Sequence, residues 1–121
     1  MLFRSATAEV FSHPALTRDS TPLRIRDFLP PDGGQTLSVQ ALLDSARNDC
    51  EAVVRALYPE VDDALRWLSR HGGGRMTGSG ASVFAAFDER QQAEQLLRGL
   101  PDAWDGFVAR GMNRSAALAL V

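Results

Sequence analysis

The stretch Arg75-Met76-Thr77-Gly78-Ser79-Gly80-Ala81-Ser82-Val83-Phe84-Ala85-Ala86-Phe87 decides the fold. Its two ends, Arg75 to Thr77 and Ser82 to Phe87, read as strands, and the run of small residues between them is a turn, so the whole is a β-hairpin. Upstream, Cys50, Val53, Val54 and Leu57 recur at i, i+3, i+4, i+7, and Val61, Ala64, Leu65 and Leu68 repeat the pattern after Tyr58-Pro59. These are two consecutive amphipathic helices. Pro59 has no amide to donate and disfavours helical geometry at Tyr58, so it ends the first and opens the second. The second helix stops at His71-Gly72-Gly73-Gly74. Downstream, Ala93, Leu96, Leu97 and Leu100 predict a helix from Glu89 to Arg98, closed by Gly99 and Pro101.

Further out, Leu2 to Ser5 reads as a short strand, and Thr7 as the N-cap of a helical turn that ends before Pro14. Thr21-Pro22 reads as a second helix start, and Pro30-Pro31-Asp32-Gly33-Gly34 as a loop. Phe107 and Ala109 alternate with Val108 and Arg110, which predicts a strand over Gly106 to Met112. The order strand, helices, strand, strand, helix, strand is the split β-α-β-β-α-β arrangement. The expected fold class is therefore α+β, a ferredoxin-like sandwich with a four-stranded antiparallel sheet and helices packed on one face.

The chain has 121 residues, a length that fits a single domain over 1–121 with a real core. Thirteen Lys and Arg stand against fifteen Asp and Glu, a net charge of −2 that argues against nucleic acid or an anionic membrane as partner, since both call for a basic surface. One cysteine excludes an internal disulfide framework, and with two histidines there is no spaced zinc-ligand set. The first ten residues include Arg4 and Glu9 and contain no signal-peptide core, which leads to the expectation of a cytoplasmic protein. The chain enters at once in strand-like style, which raises the expectation of a missing upstream partner.

Gly78-Ser79-Gly80-Ala81 is the strongest local signal for chemistry, because small residues let backbone amides approach and cradle an anion. The residues alone leave that reading open beside a plain tight turn. Val83 stands where a dinucleotide fingerprint needs its third glycine, and there is no Gly-Lys-Ser/Thr of a P-loop. His71-Gly72-Gly73-Gly74 is a helix stop, since no Gly-x-Ser-x-Gly elbow exists to pair with an oxyanion loop. Asn48-Asp49-Cys50-Glu51 is either a polar site or a set of helix caps, and Cys50, on the apolar stripe, is a packed thiol. Phe11 could stack a base or plug the core. No catalytic residue and no metal ligand is assigned.

Together, Thr7-Ala8-Glu9-Val10-Phe11-Ser12 with Leu16-Thr17-Arg18-Asp19, Asn48-Asp49-Cys50-Glu51, Tyr58-Pro59-Glu60-Val61, Arg75 to Phe84 and Gly106-Phe107-Val108-Ala109-Arg110-Gly111 resemble one family in order and spacing. It is the C-terminal domain of the 4-diphosphocytidyl-2-C-methyl-D-erythritol kinases, in the galactokinase, homoserine kinase, mevalonate kinase and phosphomevalonate kinase superfamily. The resemblance implies ATP- and Mg-dependent phosphorylation of cytidine-diphospho-methylerythritol on the non-mevalonate isoprenoid route. It also implies that Phe11 stacks on the cytosine while Thr7 and Ala8 line its pocket, and that Gly78, Ser79, Gly80 and Ala81 form the turn facing the phosphates. The family's ATP-binding loop, catalytic Asp and Lys belong to an N-terminal half that this sequence does not contain. The expectation is a chain that is catalytically silent by itself, holds neither ATP nor Mg tightly and works with that missing half. A stand-alone module that binds a cytidine nucleotide or a protein partner, and a non-functional remnant with an exposed apolar face, are the competing expectations.

Overall fold

The computed structural model describes residues 6–24, 26, 38–80, 82–112 and 114–120. Its elements, in chain order, are α1 (Thr7–Ser12), α2 (Val39–Ser45), α3 (Glu51–Leu57), α4 (Pro59–Ser69), β1 (Arg75–Met76), β2 (Val83–Phe84), α5 (Arg90–Arg98) and a 3-10 segment over Ala116–Leu120. They fall into two compact units, 2–86 and 87–121.

In the first unit, α3 and α4 follow one another with Tyr58 as the last cap of one and the first cap of the other. Pro59 occupies the first position of α4, where its missing amide would have had no partner in any case. The stripes read from the sequence meet: Val53, Val54, Val61 and Leu65 are buried together with Val10, Leu16 and Met76, and Cys50, Leu57, Tyr58 and Val83 pack around them. Cys50 is thus a packing thiol, as its place on the stripe requires. Each of the larger buried side chains contributes about 1.5–3 kcal/mol through removal from water. Arg55 of α3 and Arg66 of α4 both donate to the Asp62 carboxylate, so an ion cluster spans the break between the helices. The two hydrogen bonds, Arg66 first, hold Asp62 below the ordinary carboxylate range.

After α4 the amide of His71 bonds the Leu68 carbonyl, and the His71 ring lies 4.7 Å from that of Trp67. Gly73 then takes φ +88, and Gly74 passes so close to α4 that a Cβ there would sit 2.7 Å from Leu68 Cβ. The glycine run is therefore a helix stop with a close backbone approach, which no larger residue permits without displacement. β1 and β2 pair antiparallel, Arg75 with Phe84 and Met76 with Val83.

In the second unit, Glu89 and Gln92 form a reciprocal capping box at the start of α5, and Gly99 ends it. The chain returns along its apolar side: a Cβ on Gly106 would meet Leu100 Cδ2 at 3.0 Å and Leu97 Cδ1 at 3.1 Å.

Four expectations are corrected or narrowed. Among the described residues the sheet has two strands, and residues 106–112 form no ladder: alternation describes an extended segment, but a strand exists only when its amides find a partner, and Phe107 is 86% exposed. The strand at Leu2 to Ser5 and the loop at 30–34 lie outside the described residues. The helix from Thr21-Pro22 does not form over residues 21–24, and most of its remainder lies outside them. Finally, Thr7 is the first residue of α1 rather than its cap; Ala6 holds the cap position with no side-chain bond. Helix α2 is an element that the hydrophobic pattern missed. What signals it is Ser38, whose hydroxyl accepts the amide of Ala41 at 3.0 Å.

Candidate functional site

The glycine turn gets its shape from two left-handed residues. Gly78 has φ +56 and Gly80 φ +104, regions that a side chain disfavours, so glycine is needed at both. The Gly80 amide donates to the Thr77 carbonyl at 3.1 Å and the Thr77 amide to Ser82 at 3.0 Å, which closes the turn beyond the short ladder. Part of the backbone that could meet an anion is thus committed to the turn itself. Ala81 lies outside the described residues.

A carboxamide holds this turn from beneath. Asn48 Nδ2 donates to the carbonyls of Met76 at 2.9 Å and Gly78 at 2.8 Å, while its Oδ1 accepts the amide of Cys50 at 3.0 Å. Three residues on, Glu51 Oε2 accepts the amide of Met76 at 3.2 Å. The Asn48-Asp49-Cys50-Glu51 cluster is not a set of side-chain caps for α3, whose cap position is held by Cys50 without a side-chain cap bond. It ties the head of that helix to β1 and the glycine turn, a link of long sequence range that local pattern cannot reveal.

Helix α1 is fixed by a second device. The hydroxyl of Tyr58 accepts the amide of Ala6 at 3.1 Å and donates to Glu9 Oε2 at 2.8 Å, and Val10 is fully buried in the core. At the other end of α1, Arg18 donates to the carbonyls of Phe11 and Leu16. With the helix pinned at both ends, Thr7 Oγ1 comes to 3.3 Å from Ser79 Oγ of the turn. Thr7 and Ala8 are exposed, and Phe11, four residues beyond Thr7 and so on the same helix face, is 55% exposed. Phe11 is therefore not a core plug; its ring is available from solvent.

The structure brings Thr7 and Ser79 together, sets Phe11 one turn along from them, and locks Gly78 and Gly80 into the conformation the turn needs. Tyr58, Glu9 and Arg18 are the supporting residues that the sequence reading did not find. Tyr58 was visible only as the residue before a proline, and its hydroxyl is what matters. Among the described residues no three His, Cys, Asp or Glu side chains are grouped to hold a metal ion, and no helix is long and apolar enough to cross a membrane.

A hairpin turn of small residues, backed by a helical pair and faced by a short helix, is the framework of an α+β module; residues 36–106 match the family described as GHMP kinases C terminal, and the chain belongs to that family. More particularly, it is similar to proteins named 4-diphosphocytidyl-2-C-methyl-D-erythritol kinase. It is 44% identical to that of Halorhodospira halophila over 91% of this chain and 34% of the relative. For Nitrosococcus oceani the identity is 46%, over 93% and 36%, and for Alkalilimnicola ehrlichii 48%, over 95% and 35%. The chain spans about a third of the length of these relatives.

Proposed function

We propose that this chain is the substrate-side part of a kinase of the cytoplasm that phosphorylates 4-diphosphocytidyl-2-C-methyl-D-erythritol with ATP in non-mevalonate isoprenoid biosynthesis. The observation that carries the reading is the meeting of Thr7 with Ser79. It sets an exposed aromatic and a glycine turn side by side, as a ligand with a flat heterocycle at one end and phosphates at the other requires. Phe11 would take the cytosine on its face, with Thr7 and Ala8 as the pocket wall, and stacking accepts the base while leaving hydrogen bonds to select it. Gly78, Ser79, Gly80 and Ala81 would face the phosphates.

Phosphoryl transfer needs positioned phosphates, charge neutralisation and a group to orient the hydroxyl. No residue of this chain is assigned to Mg, and no base is assigned either. The ATP site and the catalytic groups would come from an N-terminal kinase half, and this chain by itself would be silent. For the domain we infer the four-stranded ferredoxin-like sandwich, in which the β1–β2 pair would supply two of the strands.

The test is ADP release with ATP, Mg and cytidine-diphospho-methylerythritol, by the purified chain alone and after a separately expressed N-terminal kinase half is added. Silence alone and turnover on mixing is the expected outcome. Turnover by the chain alone would overturn the division of labour, and silence in both would favour a module that binds a cytidine nucleotide without chemistry.

A further inference from the structure

We infer that Asn48 is a positioning residue for the phosphate-facing turn, an inference that rests on the reading of that turn given above. Its two amide hydrogens go to two different carbonyls of the segment that leads into the turn, Met76 at 2.9 Å and Gly78 at 2.8 Å. Carbonyl oxygens carry the negative end of the peptide dipole, and an anion approaching the turn would be repelled by any that faced it. Asn48 takes both oxygens to its own side.

The consequence for the next peptide follows from planarity. In a trans peptide the C=O and the N–H point in opposite directions, so drawing the Gly78 oxygen to Asn48 directs the Ser79 amide hydrogen away from Asn48. Left-handed Gly78, at φ +56, is the residue that lets the chain turn there, and a Cβ on it would meet nothing within 4 Å. The glycine at 78 is thus needed for its backbone conformation and not for lack of space, and the carboxamide holds the turn at its base. Oδ1 of the same side chain is occupied by the Cys50 amide, which fixes the orientation of the group: with the oxygen committed to an N–H donor, the nitrogen must face the carbonyls. Cys50 itself packs against the buried core, so the turn is referenced through Asn48 to that core.

The experiment is a titration of the chain with inorganic pyrophosphate, followed by the Ser79 amide resonance, for wild type, Asn48→Ser and Asn48→Ala. Serine keeps an acceptor for the Cys50 amide and loses the two-carbonyl fork; alanine loses both. Hydrogen exchange at Val54 and Leu65, buried in the helical pair, reports whether each variant is folded. The expected result is that both variants keep core protection, that pyrophosphate affinity falls about tenfold, the scale of one lost hydrogen bond to a group left unsatisfied, and that the Ser79 response is lost. Undiminished affinity in a folded variant would overturn the positioning role and leave the proposed kinase function standing, since that depends on turnover by mixed halves. A wild-type chain that ignores pyrophosphate would overturn the inference as well, while turnover on mixing would still decide the function separately. Loss of core protection in both variants would make Asn48 a determinant of the fold and not of the turn.

Discussion

Thr7 and Ser79 are separated by 72 positions in the chain, yet their hydroxyl oxygens lie 3.3 Å apart. The contact ties the start of α1 to the tip of the glycine turn. If it acts between the two elements, a double-mutant cycle of Thr7→Val and Ser79→Ala gives a coupling of about 0.5–1.5 kcal/mol in chemical denaturation, the net value of one hydrogen bond. Strict additivity of the two single effects would show that the elements are held independently.

Phe11→Ala removes an exposed ring, so the cost is in binding and not in folding. Cytidine diphosphate affinity, measured by calorimetry or resonance shifts, is expected to weaken by about 1–3 kcal/mol, with the unfolding midpoint nearly unchanged. A large drop in the midpoint with unaltered affinity would return Phe11 to a packing role.

The Asp62 cluster sets an acid dependence. Hydrogen bonds from Arg66 and Arg55 lower the carboxyl pKa in the folded state relative to the unfolded chain. The stability this contributes is complete above the ordinary carboxylate pKa of about 4 and is lost as pH falls through the folded-state value. Urea unfolding from pH 7 downward is therefore expected to show Asp62→Asn less stable than wild type near neutrality, with the two curves converging in acid. Parallel curves would remove Asp62 from the acid response.

Gly74 and Gly111 give opposite outcomes to the same substitution. A Cβ at Gly74 would stand 2.7 Å from Leu68 Cβ and 3.1 Å from the Leu65 carbonyl, whereas at Gly111 it would meet nothing within 4 Å. Gly74→Ala is expected to destabilise by about 1–3 kcal/mol through overpacking, and Gly111→Ala to be neutral or slightly stabilising. Thermal unfolding of the two variants checks both.

The helical pair, the hairpin and α5 were legible because each announces itself locally: a 3.6-residue stripe, a proline break, small residues between two extended runs, a glycine stop. The start of α5 was read at Glu89, which turns out to be the cap. The expected strand at 106–112 was not legible in the same sense, because extended alternation says nothing about whether an edge exists to pair with. Residue type favours the core for an aromatic such as Phe11, but Val10 took the core and left Phe11 outside. The turn was visible, but Asn48 and Tyr58, which hold the turn and α1, act across 28 to 52 positions through single polar atoms. No periodicity reports such bonds.

Tyr58 sits where one helix ends and another begins, and its phenol oxygen carries the first turn of α1. The break between α3 and α4 is thus also the mounting point of the helix that carries the exposed Phe11. A substitution that moved that phenol oxygen, far from Phe11 in sequence, would retune the tilt of its ring as a wrench turned at the hub moves the rim.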